Sequence, residues 1–177
     1  MTMPPARGSI LELWDRIERR LIGLLGAAAL GVAAYDIFGR YVSPELAAPW
    51  ADEMIVYLVV WAIFIASSQL VRADGHVRPD LVLRLLPPGS QRVAEIFNCL
   101  AALAFSAGLA WLGWQIASES FALDERSATA LAFPMWLYYA ALPVGGALMT
   151  VRYALRLYRY ALRFDPATMT IGLRRHD

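Results

Sequence analysis

Four long apolar blocks constrain this chain more than any other feature. They cover 21–38, 54–71, 93–117 and 133–151, each close to the ~20 helical residues that cross a ~30 Å hydrocarbon core. Apolarity within a block is nearly continuous and lacks the alternation of a barrel strand, and a helix satisfies its own backbone in lipid. The expectation is an all-α integral membrane protein with four transmembrane helices. Composition agrees: 59% of the 177 residues are apolar and 18% charged, against about 25% charged in a soluble domain. The connections are too short for a second soluble domain.

Net charge is only +1, which gives no bulk attraction for nucleic acid, and no zinc-binding or RNA-binding pattern is present. The distribution of charge tells more. There is no lysine, so all 16 basic residues are arginines. Fourteen of the 16 precede the first block, lie between blocks two and three, or follow block four; the exceptions are Arg40 and Arg126. By the positive-inside rule both termini are expected in the cytoplasm. Cys99 is the sole cysteine, which rules out an internal disulfide and a cysteine metal site, and it reads as a small packing residue. The first block is longer than the usual hydrophobic stretch of a signal peptide, so it reads as a span.

Outside the blocks the expected organisation is an amphipathic cytoplasmic N-terminal helix over 1–20, an interfacial arm over 77–88 and a basic cytoplasmic tail over 152–177. Ser9 and Glu12 have capping-box spacing. Ile10, Leu13, Trp14, Ile17 and Leu21 share one helical face, with Asp15, Arg16, Glu18 and Arg19 elsewhere, a pattern that suits the membrane interface. Arg152, Arg156, Arg159 and Arg163 form a stripe at 100° per residue, and together with Trp14 they are expected to anchor the chain to anionic lipid.

Small residues mark expected packing faces: Gly23, Ala27 and Gly31 in the first block, Ala104 and Gly108 in the third. Pro143, Gly145 and Gly146 make the fourth block adaptable. Asp36 lies four residues before Arg40, so the two can pair along one helix face, and Glu95 has the same relation to Arg92 at three. Trp50, Asp52 and Glu53 open the second block; a helix N-terminus and an interface account for them locally, and a contact role is the alternative. His76 reads as a backbone cap or, alternatively, as a proton relay.

Catalytic chemistry is missing. The two histidines, His76 and His176, cannot form a haem pair inside a bundle, and there is no HExxH, GxSxG or phosphate loop. No cofactor or metal is expected. Nor is there an inverted repeat or broken-helix ion site of an independent transporter.

Two short motifs on this layout resemble the small membrane subunit of tripartite ATP-independent periplasmic (TRAP) transporters. The first is Arg40 closing span one, followed by Trp50, Asp52 and Glu53 opening span two; the second is Arg72, Gly75, His76, Arg78 and Asp80 after span two. Asp52 stands where the family often has Glu, Ala66 where it often has Gly, and Pro79 where a β-branched residue is usual. The resemblance implies a scaffold subunit in a bacterial inner membrane, beside a large membrane subunit that performs sodium-driven uptake of an organic acid delivered by a periplasmic binding protein. It also implies partner or scaffold contacts at Arg40, Trp50, Asp52, Glu53, Arg72, Gly75, His76 and Asp80; Arg40 and Glu53 are expected to form an outer-face polar contact that holds spans one and two or receives the large subunit or the binding protein. The alternative from another class is an autonomous four-helix membrane enzyme or redox subunit using Asp36, His76 or Glu95.

Overall fold

The computed structural model describes residues 10–72, 87–129 and 131–164. These form five α-helices and one 3-10 turn: α1 (Ile10–Tyr41), the turn Pro44–Leu46, α2 (Ala51–Arg72), α3 (Pro88–Ala122), α4 (Met135–Tyr139) and α5 (Ala141–Leu162). Among the described residues the β-pairing is a single isolated bridge, Arg126 with Pro134. Helices α1, α2 and α3 are each long and apolar enough to cross a membrane. The expected N-terminal helix and first span are one element, because α1 runs unbroken through both. Ser9 and the interfacial arm up to residue 86 lie outside the described residues.

Local chemistry sets the boundaries. Ser43, restricted by the following Pro44, is extended at φ −141°, which ends α1 and lets the chain turn. The turn returns so closely that a Cβ on Gly39 would lie 2.6 Å from the Leu46 carbonyl oxygen, so only glycine fits there. Asp52 and Glu53 sit in the first turn of α2, where carboxylates oppose the positive dipole end. Pro87 is extended and Pro88 opens α3, the position at which a missing amide costs least. The fourth apolar block divides at Ala140 into α4 and α5. Pro143, three residues on, supplies no N–H for the Tyr139 carbonyl, while Ala140 itself keeps right-handed helical angles.

The helices lie side by side in the order α1, α2, α5, α3, with α4 against α3; α1 and α3 are the edges of this row. Contact is closest between α3 and α5. A Cβ on Gly146 would sit 2.7 Å from the Ala110 amide nitrogen, one on Gly113 2.8 Å from the Leu142 Cβ, and one on Gly145 2.7 Å from the Phe64 Cβ on α2. Small residues thus bring backbones together, as expected where lipid removes the hydrophobic drive between helices. Gly145 and Gly146, expected only to make the fourth block adaptable, do this. Gly23, Gly31 and Gly108 do not: an added Cβ at each would meet nothing within 4 Å.

The packing is inverted relative to a water-soluble protein. The largest fully buried side chains are Cys99, Ser68 and Ser106, whereas Leu30 is 72% exposed, Phe97 73% and Phe105 72%. The inward face of α3 reads Gln91, Glu95, Cys99, Ser106, Gly113, Ala117 and Ser120. On α1 the buried and half-buried line is Asp15, Glu18, Ile22, Leu25, Ala29, Val32, Asp36 and Gly39, spaced alternately three and four residues, the repeat of a helix–helix seam. The first turns of α1 keep the expected apolar face outward, while their acids turn to the neighbouring helices. Leu13, Ile17 and Leu21 point outward, and Asp15 and Glu18 point in, the arrangement that suits an apolar solvent.

Candidate functional site

Two polar clusters lie at opposite ends of the helices. At the acidic end Arg40 bridges α1 and α2: its Nε lies 2.7 Å from Asp36 Oδ2, and its Nη2 donates to Asp52 Oδ2 at 2.8 Å. Trp50 stacks on Tyr35 with centroids 6.4 Å apart. The Asp36–Arg40 pair is as the sequence spacing indicated. The expected Arg40–Glu53 contact is corrected, since Asp52 takes the guanidinium and Glu53 turns away from α1.

Glu53 instead accepts hydrogen bonds from the Tyr57 and Thr129 hydroxyls. Thr129 belongs to the loop between α3 and α4, which closes on itself: Ser127 N–H donates to the Phe133 carbonyl at 2.9 Å, and Phe133 N–H to Ser127 Oγ at 3.0 Å. Asp124 and Ala132 take positive φ of 46° and 44°, a conformation that costs a non-glycine residue roughly 1 kcal/mol or more. The Met135 N–H bond to the Glu125 carbonyl (2.9 Å) and Trp61 Nε1 donation to the Leu137 carbonyl (3.0 Å) seat the loop and α4 on the helices. Tyr57 completes the wall, with its ring 4.9 Å from Phe133 and 5.0 Å from Tyr138. Glu53 is therefore the tie between α2 and this loop.

At the basic end Arg152 of α5 is buried, with its side chain 9% exposed. Its Nη2 donates to Asp15 Oδ1 at 2.8 Å and to Glu18 Oε2, and its Nε donates to Ser68 Oγ at 2.6 Å. The guanidinium also lies 4.7 Å from the Trp14 ring centroid, and Trp14 Nε1 donates to Glu18 Oε1 at 2.7 Å. Ser68 Oγ donates to Glu18 Oε1 at 2.9 Å, Gln69 donates to Glu18 Oε2, and Arg72 Nε sits 2.9 Å from Asp15 Oδ2. Two arginines and two carboxylates balance in charge, and nearly every donor is matched, which is what burial of ions demands.

The arginine stripe thus divides. Arg152 and Trp14, expected at lipid, are committed to the chain's own carboxylates. Arg156 turns to Glu95 of α3 at 3.0 Å, so Glu95 is tied to α5. Arg92 donates to the Tyr160 and Ala161 carbonyls at 3.0 and 2.7 Å, capping the last turn of α5. Arg159 and Arg163 remain on the exposed side. Of the second motif, Arg72 is described and joins the buried cluster; Gly75, His76, Arg78 and Asp80 lie outside the described residues.

Sequence reasoning missed the Asp15–Glu18–Arg152 cluster and Thr129. A signal for the first exists: Asp15 and Glu18 continue the three-four spacing of the apolar seam, and acids on such a line require cationic partners. Thr129 carries no comparable mark. Among the described residues no group of histidine, cysteine or carboxylate side chains could hold a metal ion.

Membrane-length helices, an apolar exterior and an interior of small and polar side chains define a multi-pass helical membrane protein. Within that class the chain belongs to the DctQ component family of tripartite ATP-independent periplasmic transporters, whose family model matches residues 29–163. It is 30% identical over 131 residues to the C4-dicarboxylate TRAP transporter small permease protein DctQ of Rhodobacter capsulatus, covering 74% of this chain and 55% of that one. To the protein of the same description from Vibrio cholerae it is 24% identical over 163 residues, 80% of this chain and 70% of the other. The isethionate TRAP transporter permease protein DctMQ of Oleidesulfovibrio alaskensis matches at 25% over 130 residues, 71% of this chain and 20% of that longer protein. The chain spans about half the length of the Rhodobacter relative. It is thus a small TRAP permease subunit of the inner membrane, and the relatives are transporter permeases, which sets aside the enzyme alternative.

Proposed function

We propose that this chain is the scaffold subunit of a secondary transporter that imports an organic acid, driven by sodium and supplied by a periplasmic binding protein. In this reading four segments cross the bilayer, the fourth made of α4 and the first part of α5. The basic end with both termini faces the cytoplasm, and the acidic end faces the periplasm. The large membrane subunit carries substrate and ion sites, and this chain widens and steadies it. The observation that carries the reading is the side-by-side row: four helices spread in one layer, with large apolar side chains outward, present a broad intramembrane surface. Support also comes from the DctMQ relative, of which this chain covers one fifth.

Relatives named for C4-dicarboxylate and isethionate are consistent with an organic anion as substrate. The Arg40–Asp52 bridge and the Glu53-tied loop are the periplasmic contacts for the large subunit or the binding protein. Arg72, Gly75, His76 and Asp80 fix the cytoplasmic side, and Arg159 and Arg163 meet anionic lipid.

Affinity purification of the chain from its native membrane in mild detergent, followed by mass spectrometry, tests the assignment. A much larger multi-span protein recovered in stable ratio is the expected result, whereas recovery of the chain alone would remove the scaffold role. Uptake and complex yield with Glu53→Gln and Arg40→Ala test the acidic-end contacts, which are wrong if both variants leave both readouts unchanged.

A further inference from the structure

Edge helix α1 is held in two different ways along its length. The buried seam runs its whole length, and the second half is fastened besides by the Pro44–Leu46 turn folded against Gly39. Among the described residues no such turn folds against its first half. The backbones of α1 and α5 hardly approach each other, so the link from α1 to the last helix is the side-chain bridge from Asp15 and Glu18 to Arg152, assisted by Ser68, Gln69 and Arg72 at the end of α2.

Between these two regions lie Gly23 and Gly26, and a Cβ at either would meet nothing within 4 Å. Packing within this chain therefore gives no reason for them to be glycine. Each costs about 1 kcal/mol of helix propensity relative to alanine, and glycines inside a helix are places where it bends. A weak helix centre next to an ionic clasp is a mechanical arrangement, and the two observations are independent.

We infer that residues 11–22 form a hinged strap, latched by Arg152 and able to open about the Gly23–Gly26 segment while the rest of the row stays packed. Opening separates Asp15 and Glu18 from Arg152 and frees both signs of charge at the basic end at once. Those groups then become available to charged side chains of a neighbouring chain. The latch also spans the sequence, joining the first described helix to the last, so it closes only when α5 is in place.

Amide hydrogen exchange, followed by mass spectrometry on the full chain in lipid nanodiscs, reads the strap directly. In the unaltered chain, residues 11–22 should exchange as a unit faster than residues 29–40; equal protection along α1 overturns the proposal. Glu18→Gln, which keeps the shape and removes one charge of the clasp, should speed exchange in 11–22 by about tenfold or more, leaving α2, α3 and α5 unchanged. Equal acceleration in all helices would show one cooperative core rather than a strap, and no acceleration would show no latch. Adding Gly23→Ala to Glu18→Gln should restore part of the protection of 11–22, whereas adding Gly31→Ala, which supplies the same helix propensity beyond the hinge, should not; equal restoration by both, or further loss, would overturn the proposal.

Discussion

The acidic and basic clusters use the same chemistry, an arginine between carboxylates on neighbouring helices, under opposite conditions. Arg40 and Asp52 are exposed, at 49% and 76% of their side-chain surface, whereas Arg152, Asp15 and Glu18 are all below a tenth. Exposed pairs contribute little because water and salt screen them. A buried network is costly to assemble and more costly to break, since removing one member strands the others. The acidic end is therefore a replaceable clasp between helices that the Pro44–Leu46 turn already joins, and the basic end a buried latch between helices distant in sequence, costly to open unless a neighbouring chain supplies partners for the freed charges.

The largest expected effect comes from Arg152→Met, which keeps side-chain bulk and leaves Asp15 and Glu18 facing each other with only Arg72. A loss of about 3–5 kcal/mol is expected, read as a large fall in melting temperature of the detergent-solubilised protein; a small fall would make the two clusters equivalent. Next is Gly146→Leu, between the clusters, whose side chain would have to displace the Ala110 backbone. Overpacking of this kind costs about 1–3 kcal/mol, measurable in the same melt, and it should weaken α3–α5 pairing without disturbing α1.

Smaller still is Thr129→Val, which removes the loop's donor to Glu53 while conserving shape. Global melting should barely move, but limited proteolysis between Asp124 and Phe133 should accelerate. Last, Asp52→Asn should leave melting unchanged at ordinary salt. A substantial shift there would break the distinction between screened and buried ends.

Much of the fold was legible because the physics of spanning lipid is written as length and apolarity. Three expected blocks fall inside α1, α2 and α3, and the fourth is divided only where Pro143 withholds an amide. The Asp36–Arg40 pair was legible because both residues are on one helix. The faces of the first turns of α1 were legible only in part. The wheel separates Leu13, Ile17 and Leu21, which face outward as a membrane-facing surface does, from Asp15 and Glu18, but it does not tell that those acids meet Arg152 of another helix instead of solvent. Small residues misled likewise, because Gly23 and Gly31 have the spacing of a packing face and no neighbour, while Gly146 has one at 2.7 Å. Arg152 looked like one member of a lipid-facing stripe; that it pairs with residues more than 130 positions earlier has no local signature. The choice of Asp52 over Glu53 by Arg40 follows from where the loop carrying Thr129 comes to rest, which no local spacing encodes.

Helix α3 has one more consequence. Its 35 residues make a rod of roughly 52 Å at 1.5 Å per residue, well beyond a ~30 Å hydrocarbon core. Such a rod must lean or extend past the headgroups. Because Gly113 and Gly146 lock α3 to α5 at near-contact distance, the two must lean together, taking the carbonyl caps from Arg92 and the Glu95–Arg156 pair with them. Bilayer thickness therefore sets the angle of this helical pair as a unit, and moving the protein from short-chain to long-chain lipid should rotate it like a pair of ski poles strapped together.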